Sequence, residues 1–187
     1  MPDPIQLAIS AMVDHIRNHV PDLRACLKGW PDPGERLVLP SAAATHGDPE
    51  RVGHEAIEIG QTVVPGDAVL IDVAYEVADL TAPVQIDVWG RSRTQRGELA
   101  AEIRGLFTDP ELGDDLRLTL ANYHNRIATF QIERWRDGDD DDAAKRQEWR
   151  QTIEITIEVP EVAVKRQPLF TTIDLSVEPY NSDQTMS

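Results

Sequence analysis

Histidines, carboxylates, one thiol and a cluster of arginines are the groups in this chain that could do chemistry. His15 and His19 stand four residues apart, so on a helix both imidazoles share one face. Zinc sites use such pairs, but a catalytic site adds a third ligand. A zincin helix also carries Glu directly after the first histidine, where Ile16 stands here. Two surface or helix-end histidines are the simpler reading. The run from Asp137 through Gly138, Asp139, Asp140 and Asp141 to Asp142 invites comparison with a calcium loop. Asp137, Asp139 and Asp141 fall at its first, third and fifth positions, and Glu148 falls at its twelfth. The sixth position, where the sharp turn needs Gly, holds Asp142, and the flanks read as strands. A solvated acidic tip is expected, with loose divalent binding as the alternative.

The remaining candidates fit no known catalytic pattern. Cys26 has no His or Asn arranged around it, so a structural thiol is expected. Being alone, it excludes an internal disulfide and a thiolate metal cluster. Ser41 and Ser92 sit in no nucleophile-elbow sequence. There is no P-loop and no Gly-rich dinucleotide fingerprint, so no cofactor is expected and the chain does not read as an enzyme. Arg91, Arg93 and Arg96 form the one basic cluster. They are read either as a docking patch for an acidic neighbour or as the solvated start of a helix.

Charge bounds the partners. The formal net charge is −15, which disfavours sequence-independent clamping of nucleic-acid phosphate. An acidic wall suits a channel through which DNA passes without sticking, although the charge also serves solubility alone. No apolar run reaches membrane-spanning length. Met1 to Ser10 lacks the basic start and apolar block of a signal peptide, so folding in a cytoplasm is expected.

The elements that must position these groups follow from periodicity. Asp3-Pro4 opens a helix whose apolar face runs from Ile5 through Ile9, Met12, Val13 and Ile16 to Val20, and Pro21 ends it. Gly29 to Gly53 reads as a long loop around a short extended piece at 36–40. Strands are expected over His54–Val64, Ala68–Val77 and Val84–Trp89, with turns at Pro65-Gly66-Asp67 and over Asp79–Pro83. Ser92 caps a second helix over Arg93–Phe107, with Leu99, Ile103, Leu106 and Phe107 on one face and the arginines off it. Leu116, Leu118 and Leu120 alternate as a strand. Phe130 and Ile132 on one arm, and Ile153, Ile155 and Ile157 on the other, then predict a long protruding hairpin over Arg126–Val159. Its apolar face is expected to lie against another subunit. A short strand over Leu169–Val177 and a polar tail end the reading. The sum is one α+β domain over 1–178, a mainly antiparallel sheet with two helices packed on it.

One segment carries a family likeness. Pro83 to Phe107 (PVQIDVWGRSRTQRGELAAEIRGLF) runs a strand ending in Asp-Val-Trp into a Ser/Arg turn and then a helix of acidic and apolar residues. It resembles the tail-terminator and tail-completion proteins of tailed bacteriophages, and the order of elements agrees over about two thirds of the chain. The resemblance implies a virion protein: a hexameric ring that caps the tail tube and joins it to neck or connector proteins. DNA would pass through its lumen without specific binding, and assembly would take place in the host cytoplasm. The long loop and the acidic hairpin depart from the compact family pattern. They leave open a different neck component, or a small acidic module that responds to divalent ions through the tip.

Overall fold

The computed structural model describes residues 3–30, 37–66, 70–108, 115–138 and 149–169. Their order is α1 (Pro4–His19), β1 (Ala25–Lys28), β2 (Ser41–His46), β3 (Glu50–Val63), β4 (Leu70–Gly90), α2 (Arg93–Gly105), β5 (Leu116–Leu120), β6 (Arg126–Asp137) and β7 (Trp149–Pro168). This is an α+β arrangement: two helices on a strand-rich mixed sheet. The strands lie in the order β1-β2-β4-β7-β6-β5, with β3 beside β4. β1 and β2 pair in parallel, and the other pairings are antiparallel.

The long middle of the sheet departs from the sequence reading. Asp79–Pro83 makes no turn, because β4 is one strand of 21 residues paired with β7 from Leu70↔Pro168 to Gly90↔Trp149. Pro83 fits mid-strand for a local reason. Its carbonyl accepts from Gly47 N at 2.9 Å, so its missing N–H faces the point where the neighbouring edge breaks between β2 and β3. No ladder bond is lost there. The stretch expected as a long loop is itself partly sheet, since β2 and the start of β3 lie within it, and the short strand β1 precedes it. The extended piece expected at 36–40 is described only from Leu37, and the expected turn at 65–67 only to Gly66.

Both helices begin as expected. Asp3 caps α1 by accepting from Ile5 N at 2.9 Å, and Ser92 caps α2 by accepting from Gln95 N at 3.1 Å. Ile5, Ala8, Ile9, Met12, Val13 and Ile16 of α1 and Leu99, Ala100 and Ile103 of α2 are buried on the sheet. Facing them are Val84, Ile86 and Val88 of β4, Phe130 of β6, and Ile153, Ile155, Ile157 and Val159 of β7. Gly90 makes one junction possible. A Cβ there would lie 2.7 Å from Arg96 N, so only glycine lets the start of α2 fold back this closely onto β4.

Candidate functional site

Beyond Ala74 the sheet leaves the helix-covered cluster behind and continues as a three-stranded arm. Among the described residues β3 pairs only with β4, and its side chains are exposed except for a half-buried Ile59. β7 pairs with β6 only as far as Glu158, so its stretch to Pro168 has one edge without a strand partner among the described residues. Within the arm Ile71 and Val73 of β4 are buried, but no described residue from 60 to 73 or from 163 to 168 joins the cluster beneath the helices. Val52, Ile57, Val63 and Val164 are exposed apolar side chains on the arm. Polar contacts add to this. Arg166 donates to both carboxylate oxygens of Asp72, at 2.8 and 3.0 Å, directly across the β4–β7 pair. Those bonds hold the Asp72 carboxyl below its ordinary range. Arg51 of β3 reaches over to Glu161 of β7, and Arg126 of β6 meets Glu76 of β4 at 3.2 Å.

The hairpin residues singled out from sequence lie elsewhere. Phe130, Ile153, Ile155 and Ile157 are fully buried beneath the protein's own helices, and Ile132 packs against the same core. The expectation that another subunit covers them is therefore corrected. The alternation was real, but α1 and α2 already supply the covering layer. The free ribbon is built from β3 and the far ends of β4 and β7.

The arginine cluster divides. Arg91 and Arg93 are exposed, and Arg93 lies over the Trp149 ring at 4.9 Å. Arg96 is buried, against the expectation that it stands off the helix face. Its guanidinium meets Asp137 at 3.2 Å and donates to the Arg150 carbonyl at 3.2 Å. Asp137 also accepts from Gln151 Nε2 at 3.0 Å. The first residue of the acidic tip is thus the acidic partner of the arginine patch, within one chain. Asp139, Asp140, Asp141 and Asp142 lie outside the described residues.

Other sequence candidates fall into structural roles. His15 and His19 stack at 4.2 Å between ring centroids, and His19 Nδ1 bonds the His15 carbonyl at 2.8 Å. Burial, and then the neighbouring His19, lower the His15 pKa. Cys26 is buried in β1, and desolvation pushes its thiol up to about 11, so it is unreactive at neutral pH. Ser41 is buried in β2 opposite Trp89, and its hydroxyl has no hydrogen-bond partner among the described residues. Asp87 is 1% exposed; it accepts from Thr152 Oγ1 and Gln85 Nε2, each at 2.6 Å, and pins β4 to β7 behind the core.

Comparison adds no relative. The sequence matches no family model and no curated protein. The reading of the chain therefore rests on its own geometry and on the resemblance carried by Pro83 to Phe107.

One donor set escaped the sequence reading. His54, Glu76 and Asp79 each bring a ligand-type atom to within 4.8 Å of the others, at the base of the arm. Glu76 and Asp79 are three apart on a strand, an odd spacing that ordinarily sends side chains to opposite faces. Only the irregular pairing described below brings them together, and no periodicity in the sequence signals it.

Proposed function

We propose that this chain is a structural assembly protein. It joins copies of itself through the three-stranded arm, and the product is a ring that caps a phage tail tube and links it to the neck. The single observation that carries the reading is the arm: a ribbon whose two outer edges have no strand partner among the described residues, with exposed Val52, Ile57, Val63 and Val164. Open edges invite pairing with another chain, and natural proteins keep them long and apolar mainly where a partner strand is added. A second copy of the chain is the occupant that the resemblance favours, because a ring repeats one interface. Arg91 and Arg93 are exposed at the start of α2, where an acidic neighbour would meet positive charge. The net charge of −15 suits a conduit that DNA crosses without binding.

Native mass spectrometry and negative-stain imaging of the purified chain, alone and with tail tubes, test this directly. Closed rings, alone or on tubes, are the expected result. Val63→Asp combined with Val164→Asp should abolish them while leaving the thermal midpoint of the monomer nearly unchanged, since both sites are exposed. A strict monomer that never joins tubes overturns the proposal, as does a double variant that still forms rings.

A further inference from the structure

Two ladder defects meet at the level where the arm leaves the body. Along β3 the pairing steps from Gly53↔Ala78 to Ile57↔Glu76, so β3 advances four residues while β4 advances two. On the other side β4 carries one extra residue, Val77, between the pairs Glu76↔Val162 and Ala78↔Glu161. Bulges re-aim side chains, and these two turn His54, Glu76 and Asp79 toward one point. They line an open pocket of about 430 Å³ together with Glu55, Ala56 and Ile57.

The set is prepared for ligation at its individual atoms. His54 Nδ1 lies 2.9 Å from the Glu55 carbonyl, a contact that places a proton on Nδ1, so the neutral ring offers its Nε2 lone pair. Nε2 lies 4.0 Å from Glu76 Oε1. The other Glu76 oxygen accepts from Arg126 Nη1 at 3.2 Å, which fixes the carboxylate and leaves Oε1 facing the histidine. Asp79 supplies the third donor from the same strand. Donor atoms around a tetrahedral zinc ion stand about 3.4 Å apart, so small side-chain rotations close the set.

We propose that His54, Glu76 and Asp79 form a divalent transition-metal site that fastens β3 to β4 at the root of the arm. One imidazole and two carboxylates suit zinc and its first-row neighbours, with coordination positions left open to water. Calcium, which takes oxygen ligands, is the poorer match. The ion would join the two strands where ladder hydrogen bonds are interrupted. The site does not depend on the assembly reading, because all three donors come from one chain.

Calorimetric titration of the EDTA-treated, dialysed chain with zinc chloride tests it, with thermal unfolding followed in parallel. Saturable one-to-one binding and a zinc-dependent rise in the thermal midpoint are expected. His54→Ala and Asp79→Asn should each weaken binding at least about tenfold. Both positions are outside the core, and circular dichroism checks that each variant folds. Replacing both His15 and His19 with Ala should leave the affinity unchanged. The proposal fails if the wild-type chain takes up no zinc, or if the double-histidine variant loses binding while His54→Ala keeps it. It also fails if calcium displaces zinc at equal concentration.

Discussion

The same two strands, β4 and β7, build both a two-layer body and a one-layer arm, and the change in what covers them separates the two regions. In the body, Ile155 of β7 is 1% exposed beneath the helices; in the arm, Val164 of the same strand is 41% exposed. The backbone pairing is continuous through both. Stability in the body comes from apolar area removed from water, about 25 cal/mol per Å². In the arm the buried apolar area shrinks to a few side chains such as Ile71 and Val73, and the rest comes from hydrogen bonds and surface ion pairs, which are each worth little in water. A region paired this well and covered this little gains most from a partner surface.

The largest effect expected inside this comparison is in the body. Ile157→Ala, under both helices, should cost about 2–5 kcal/mol in urea unfolding, with an unchanged slope. A loss below about 1 kcal/mol would mean that the helices do not seal that face. A smaller effect is expected at the junction of β4 and α2. Gly90→Ala should cost about 1–3 kcal/mol, because the new methyl group meets the Arg96 backbone. A neutral result would show α2 free to move off the sheet. The smallest effect belongs to the arm. The Asp72 pKa is lowered in the folded chain by Arg166, from the ordinary 3.8, so the unfolded chain binds more protons in that window. The stabilisation is complete above the ordinary value and is lost as pH falls through the depressed one. Asp72→Asn should flatten the acid limb of the stability profile slightly and leave the stability at pH 7 almost unchanged, because the pair is screened by solvent. A large loss at pH 7 would contradict the assignment of the arm to weak surface contacts.

The sequence reveals the helices almost to the residue, because caps and apolar faces are local signals: Asp3, Ser92 and the Ile5-to-Ile16 stripe act within a turn or two. The core of the hairpin is legible in the same way from Ile153, Ile155 and Ile157. What covers that core is not, since alternation marks a buried face without saying whether a helix or a second chain buries it. The Asp79–Pro83 segment misleads for a related reason. Proline reads as a breaker, and only the break in the neighbouring strand at Gly47 makes it harmless. Arg96 reads as one of the exposed arginines because helical spacing sets it off the apolar face, whereas its partner Asp137 is distant in sequence. The donor set at His54 is the least legible, because it depends on two bulges that no residue pattern announces.

The interruption at Gly47, opposite Pro83, has a further consequence. β2 sets its register against the far half of β4, and β3 sets its own against the near half, with a gap between them. The two halves of that edge behave as separate rulers laid along one beam. Residues added in matching numbers to β3 and the start of β4 lengthen the ribbon without sliding a single pair in the body. The reach of the molecule is thereby an adjustable dimension, while the helix-covered half stays constant.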